Sequence, residues 1–308
     1  MLWPVRFVSD VPAAAPVRVV LRGKSFVLWR DASAAVRCAP DACPHRLSML
    51  SAGRVERGDL VCRHHDWRFA GDGACVRVPQ VGRGSIPKAC NLELRPVTVM
   101  DGVVWLADDD ACRAGTPTNL LAALGPRDVV TDRRLASPTS YRLQVENALD
   151  VAHINTVHAG FQGSRERVGP IHLSRFYEDA DVLACCFAHD SETPDVDVVF
   201  LKPGVVVVRV LDKATKRLLR TNVVHVAPET DASCSVLFRD VAHDSNADPT
   251  VHRWLTALIV DGIFAQDVAV TQEQLLNQRE FKHGYCLPAP ADRPLAAFRS
   301  WCSSVGLL

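Results

Sequence analysis

The stretch DACPHRLSMLSAGRVERGDLVCRHHDWRF, residues 41–69, sets Cys43 and His45 in one cluster and Cys62, His64 and His65 in a second. Each spacing, Cys43-x-His45 and Cys62-x-x-His65, is short enough for one tight loop to aim both side chains inward. Pro44 stiffens the first loop by fixing φ. Two thiolates and two imidazoles bind zinc tetrahedrally. They also bind a binuclear iron–sulfur cluster in which two His replace two Cys on one iron and raise the potential. Zinc fingers usually pair Cys with Cys and His with His, whereas each loop here gives one of each. That mixed pairing favours the cluster, with both thiolates on one iron and both imidazoles on the other.

A second constellation lies in ENALDVAHINTVHAG, residues 146–160. Asp150 and His153 are three apart and share a face on a helix. His158 is five beyond His153, about 140° further round an ideal helix. The two imidazoles converge only where a helix ends or bulges between them, and Gly160 suits an end. Two His and one carboxylate form the facial triad of non-haem Fe(II) oxygenases, which leaves positions open for dioxygen and substrate. The carboxylate has to come from elsewhere in the chain. A carrier that only moved electrons would need about 110 residues, so the other 200 or so call for a function of their own.

The elements that must position these groups divide the chain in two. Residues 17–23, 24–31 and 34–40 are strand-length runs bounded by Gly, Asp and Pro, and 91–107 is a hairpin turning at Asp101-Gly102. A composition shift across 108–128 marks a boundary, giving an all-β domain over 1–110 and an α+β domain over 111–308. In the second, 141–158 suits a helix and 172–242 returns to β-like runs. Residues 252–281 form a long Pro-free helix. The expected fold is α+β, an N-terminal all-β domain followed by a helix-grip-like catalytic domain whose antiparallel sheet is covered by helices.

The 308 residues include 35 basic and 35 acidic side chains, so no charge excess points to nucleic acid or an anionic membrane. Hydrophobic content of 48% excludes a mainly disordered chain. The start of the chain lacks a basic region followed by a long apolar one, and no apolar run reaches the roughly 18 residues of a membrane span. Cytoplasm is the expected location. The 11 cysteines are odd in number, so a disulfide framework is not expected, and Cys185, Cys186 and Cys234 read as buried thiols.

Several motifs together resemble a known family. The run Cys43-Pro44-His45-Arg46, then Gly53, Cys62-x-x-His65-x-Trp67-x-Phe69, Gly73 and Pro79, resembles the Rieske domain of aromatic-ring-hydroxylating oxygenases through much of residues 20–80. The run from Asp150 through His153 to His158 resembles the mononuclear-iron motif of the same family. The resemblance implies one [2Fe–2S] cluster on Cys43, His45, Cys62 and His65. It also implies one Fe(II) on His153, His158 and a carboxylate from a C-terminal helix. FAQDVAVTQEQ, residues 264–274, supplies Asp267, with Gln274 seven residues on. Asp150 would join His65 of one subunit to His153 of the next, which implies a head-to-tail homotrimer. Asn147 is a candidate hydrogen-bond donor behind the ligands.

Trp3-Pro4-Val5 and VVHVAPET, residues 223–230, resemble the vanillate O-demethylase-like branch. The implied activity is O2-dependent hydroxylation of a small organic substrate, with oxidative O- or N-demethylation as one form of it. Electrons would come from NAD(P)H through a separate flavin/[2Fe–2S] reductase or a ferredoxin. Ring cis-dihydroxylation is the alternative enzyme activity. A Rieske-type electron carrier and a zinc-binding interaction protein are the non-enzyme alternatives. The sequence departs from the family at His64, where Tyr is usual, and at Asp66, where Gly is usual. The Cys62-x-x-His65 spacing keeps His65 as the ligand and turns His64 away. Asp tolerates the unusual φ of such a position better than most residues.

Overall fold

The N-terminal half is built from ten short strands: β1 (Leu2–Phe7), β2 (Val17–Leu21), β3 (Lys24–Arg30), β4 (Val36–Pro40), β5 (Arg54–Glu56), β6 (Asp59–Val61), β7 (Arg68–Phe69), β8 (Cys75–Arg77), β9 (Val97–Met100) and β10 (Val103–Ala107). They pair antiparallel into three small sheets, ordered β1-β10-β9, β2-β3-β4 and β5-β6-β7-β8. The expected Asp101-Gly102 turn closes β9 on β10 with φ of 50° and 71°, both in the left-handed region that a two-residue hairpin turn requires. One apolar cluster, including Trp29, Leu50, Leu60 and Phe69, also contains Cys43 and Cys62. The two thiols therefore sit on the core while their loops reach the surface.

In this computed structural model the chain divides into two compact units, Met1–Leu120 and Leu121–Leu308. The structure describes residues 1–82, 84–108, 125, 128–189, 194–243, 248–281, 286–287 and 289–307. The boundary expected at 110/111 lies outside the described residues.

The second unit is a seven-stranded antiparallel sheet with helices on one face. Its strands and helices run in the order β11 (Val129–Ser137), α1 (Tyr141–Leu149), α2 (Ile154–Val157), β12 (Ile171–Glu178), β13 (Val182–His189), β14 (Asp195–Leu201), β15 (Val205–Leu211), β16 (Leu218–Thr230), β17 (Ser233–Ala242), α3 (Pro249–Glu280) and α4 (Arg293–Ser304). The strand order is β11-β17-β16-β15-β14-β13-β12. Register places Val208 opposite Asn222 and Asn222 opposite Asp240, with Val224 opposite Phe238. Period-two alternation puts these residues on the face that the helices cover.

The helices are fixed by polar ties around an apolar interior. Ser140 caps α1 by accepting from the Leu143 amide at 3.3 Å. Arg299 of α4 donates through Nε and Nη2, each at 2.8 Å, to the buried Glu146 of α1. Three residues spread along α3 are tied to the unit. Arg253 donates to the Val130 carbonyl at 3.1 Å, Asp261 pairs with Arg133, and Gln278 accepts from Arg142 at 3.0 Å. Residues Pro249–Gln278 of α3 are also long and apolar enough, by length and composition, to cross a membrane, one 18-residue window having a mean hydropathy of 1.3. The same helix carries the nearly buried Asp267 toward the sheet.

The long helix expected over 141–158 is a point of correction. α1 stops at Leu149, and Asp150 takes an extended backbone, φ −83° and ψ 107°. Its carboxylate accepts from the Ala152 amide at 2.8 Å. That local turn competes with the helix for backbone partners and redirects the chain into the short α2. Asp150 and His153 therefore do not share a face of one helix.

His225 on β16 is buried and neutral. Burial pushes it from its ordinary 6.5 down to about 4, against the hydrogen bond to the Leu237 carbonyl. As pH falls through 6.5 the unfolded chain takes up this proton first, so stability is lost between about pH 6.5 and pH 4. The gap corresponds to about 3 kcal/mol. We expect His225→Asn, whose amide nitrogen keeps the Leu237 bond, to be less stable at pH 8. Below pH 6.5 its urea midpoint should fall less steeply than that of the wild type. Equal slopes would remove His225 from the acid response.

Candidate metal centres

Cys43 and Cys62 head two loops with the same backbone design. In the first, the Leu47 amide donates to the Cys43 carbonyl at 2.8 Å and the Cys43 amide donates to the Ser48 carbonyl at 2.9 Å. In the second, the Asp66 amide donates to Cys62 at 3.1 Å and the Cys62 amide donates to Trp67 at 2.9 Å. The fourth residue after each Cys is left-handed, Leu47 at φ 58° and Asp66 at φ 61°. Asp66 thus occupies the conformation for which the resembling family uses Gly, and its carboxylate pairs with Arg54 and Arg77. Gly53, between the loops, is required by close approach: a Cβ there would lie 2.1 Å from the Val61 carbonyl oxygen.

The four expected ligands sort into a buried pair and an outer pair. Cys43 and Cys62 are 2% and 1% exposed, and their thiols adjoin. Burial pushes the Cys43 thiol up to about 12, against the backbone N–H groups of His45 and Arg46 that face its sulfur. Those amides would serve a thiolate bound to metal. The rings of His45 and His65 are 4.6 Å apart at the surface, and Trp67 stacks on His45 at 4.7 Å. Burial, and then the neighbouring His64 and His45, hold His65 below its ordinary value, so it is available as a neutral ligand. His64 is turned aside: its Nδ1 is 2.9 Å from Ser48 Oγ. Among the described residues, one set of three ligand atoms closes to within 4.8 Å, and it does not belong to these loops. Four donors split into a buried thiol pair and an outer imidazole pair fit a binuclear cluster with one pair on each iron.

That one set is His153, His158 and Asp267. The Nε2 atoms of the two imidazoles are 3.1 Å apart. Asp267 Oδ1 is 3.5 Å from His153 Nε2 and 3.1 Å from His158 Nε2. The helix break places them: His153 precedes α2, His158 ends it, and α3 brings Asp267 from 109 residues further along the chain. The His158 carbonyl accepts the amides of Phe161, Gln162 and Gly163 at 3.0–3.1 Å, which fixes the exit from α2. Asp267 Oδ1 is buried and faces these two imidazole nitrogens.

Gln266 Oε1 is 3.0 Å from His158 Nδ1. An N–H donated there leaves Nε2 as a lone pair aimed at the other two ligands. Behind His153, Asp150 Oδ2 lies 3.7 Å from Nδ1. Burial opposes charge on His153 and on Asp267, but their mutual hydrogen bonds prevail. His153 is raised above its ordinary value and Asp267 is held at about 2. Converging acceptors of this kind bind a proton or a metal ion, and the facial N,N,O set fits a divalent iron.

Gln144, Asn147, Asp150 and Asn222, with apolar residues from the sheet and α3, line a cavity of about 130 Å³ over the triad. Asn147 is in the wall of this cavity. Gln274 is exposed on α3. Gln266 and Asn222 were not legible as site residues. Gln266 adjoins Asp267 in sequence without any spacing signal. Asn222 shows only as one polar residue in an apolar alternating run.

Residues 2–97 match the Rieske [2Fe-2S] domain family, so this part of the chain is a Rieske domain. The chain is also similar to Protein TIC 55, chloroplastic, from Arabidopsis thaliana, 33% identical over 180 residues that make up 55% of this chain and 32% of that protein. It therefore spans about a third of the length of this curated relative. It is similar as well to the 4beta-methylsterol monooxygenase of Methylococcus capsulatus, 38% identical over 199 residues, which are 61% of this chain and 51% of that one. In three dimensions it resembles dicamba monooxygenase bound to dicamba, with a TM-score of 0.85 and 18% identity over 100% of this chain and 98% of that one. The fold is common to both, an N-terminal Rieske domain followed by an α+β domain.

Removing one carboxylate should separate the two centres. We expect Asp267→Ala to lower bound iron from about three to about two atoms per chain while the visible absorption of the cluster is kept. Retention of all the iron, read by elemental analysis, would exclude Asp267 as a ligand.

Proposed function

We propose that the chain is the oxygenase component of a Rieske non-haem iron oxygenase, carrying out O2-dependent monooxygenation of a small organic substrate. The observation that carries this reading is the presence, in one chain, of a Rieske domain and a His153–His158–Asp267 triad beneath an apolar cavity. A stand-alone electron carrier has no use for the second set. The vanillate O-demethylase-like branch, and with it oxidative O- or N-demethylation, belongs to this reading on the strength of Trp3-Pro4-Val5 and residues 223–230.

A cluster held by Cys43, His45, Cys62 and His65 would supply two electrons one at a time, and an iron held by His153, His158 and Asp267 would supply dioxygen activation, so that with two protons from solvent one oxygen atom would enter a C–H bond and the other would leave as water. The chain's own residues supply the rest. Gln266 sets the tautomer of His158, and Asp267 supplies the negative charge of the triad. The valine and phenylalanine walls keep bulk water from the reacting atoms. In this reading Asp150, with its side chain 34% exposed and one oxygen facing His153 Nδ1, accepts from His65 of a neighbouring copy. The working assembly of this reading is a head-to-tail homotrimer. A separate flavin/[2Fe–2S] reductase or ferredoxin delivers electrons from NAD(P)H. Cytoplasmic location is part of the proposal.

Asp150→Ala tests the relay. It should keep iron content and the cluster spectrum while substrate-dependent oxygen uptake, driven by NADH and a surrogate reductase, falls by at least about 100-fold. Uptake near the wild-type rate would overturn the relay. Incorporation of one atom from ¹⁸O2 into product tests the activity itself.

A further inference from the structure

The apolar core holds the two thiols of the Rieske domain, but the outer imidazole pair has no such packing. His45 is exposed and His65 is half-buried. A side chain at the surface keeps its rotamer freedom unless a neighbour removes it. For His45 that neighbour is Trp67, stacked on it at 4.7 Å with the ring planes 3° apart. Trp67 is 9% exposed, and a buried indole N–H needs an acceptor.

That acceptor is Gln80. Trp67 Nε1 donates to Gln80 Oε1 at 3.3 Å, and Gln80 Nε2 donates to the His65 carbonyl at 3.4 Å. An indole nitrogen only donates and a carbonyl only accepts, so both partners select the same orientation of the amide. A flipped amide would lose both bonds. One side chain thus meets the second ligand loop at the His65 backbone and, through Trp67, the His45 ring of the first loop. Gln80 belongs to neither loop. It lies in a 3₁₀ turn, Pro79–Val81, that follows β8. Val78, just before this turn, is in the apolar cluster that holds Cys43 and Cys62. Pro79 fixes φ at the start of the turn, and the Val81 amide donates to the Val78 carbonyl at 3.0 Å. The backbone of Gln80 is therefore anchored on the core while its amide spans the two loops.

We infer that Gln80 is a positioning residue for the electron-transfer centre: its amide locks Trp67 to the His65 loop and so sets the orientation of both imidazoles. Groups behind ligand imidazoles govern how firmly a metal is held and how the ligands donate to it. The inference rests on the reading of Cys43, His45, Cys62 and His65 as the ligands of a [2Fe–2S] cluster.

The test uses the full-length holoprotein with Gln80→Ala, Gln80→Glu, Trp67→Phe and the double variant Gln80→Ala/Trp67→Phe. Two quantities are measured on the reduced cluster: its EPR line, and the rate at which an excess of an iron chelator bleaches its visible absorption. Gln80→Ala should bleach at least about fivefold faster than the wild type. Its EPR line should broaden, because imidazoles free to take several orientations give a spread of signals. The urea midpoint should stay at the wild-type value, since Gln80 is exposed and its loss opens no cavity. Gln80→Glu should fall between the two, because a carboxylate still accepts from Trp67 but cannot donate to His65. In the Trp67→Phe background the Gln80→Ala change should accelerate bleaching by a smaller factor than it does with Trp67 in place. An unchanged EPR line with bleaching within about twofold of the wild type in Gln80→Ala overturns the inference. So does an equal factor in the two backgrounds, or a urea midpoint that falls in step with the bleaching. A wild-type chain that takes up iron and sulfide without a Rieske spectrum overturns the ligand reading itself, and this inference with it.

Discussion

Two imidazole nitrogens and one carboxylate oxygen, held 3.1–3.5 Å apart beneath a wall of valine and phenylalanine, constrain the catalytic unit. Lone pairs brought this close repel unless a cation lies between them. The fold therefore has to hold the three ligands from outside. The Asp150 turn breaks the helix between α1 and α2, Gln266 orients His158, and three polar ties along α3 keep Asp267 in place. The buried Glu146–Arg299 pair joins α1 to α4 and keeps the first ligand segment against the sheet. Breaking such a pair strands a buried charge, so the tie contributes to the position of the site as well as to stability.

The N-terminal domain meets a different constraint, that of a cluster needing two thiolates away from water and two imidazoles near it. Two loops with matching hydrogen bonds and matching left-handed residues achieve this. They are anchored through Cys43 and Cys62 in the same apolar cluster. Asp66 shows how such a loop accepts a side chain where Gly would cost least. Its left-handed backbone is strained, and its carboxylate gains Arg54 and Arg77 in return.

The sheet links fold to site. Strict alternation along β15, β16 and β17 sends Val208, Asn222, Val224, Val236 and Phe238 to one face, so the wall of the cavity is an apolar row with one polar position. A one-residue slip would turn that wall away from the site.

Much of this was written in local spacing. Cys43-x-His45 and Cys62-x-x-His65 named the candidate cluster ligands, because a single loop fixes groups that lie two or three residues apart. Residues Asp150 to His158 named the imidazoles of the candidate iron site, and the Asp101-Gly102 turn named a hairpin. Asp267 could be reached only through resemblance, since 109 residues separate it from His158 and no local rule spans that distance. The helix expected over 141–158 breaks earlier than the expected end between His153 and His158, at Asp150, because an Asp side chain can satisfy the backbone in competition with helical bonding. The places of Gln266 and Asn222 in the site were decided by tertiary structure alone. Each depends on which atom of a side chain faces which neighbour across strands or helices, and periodicity carries no such information.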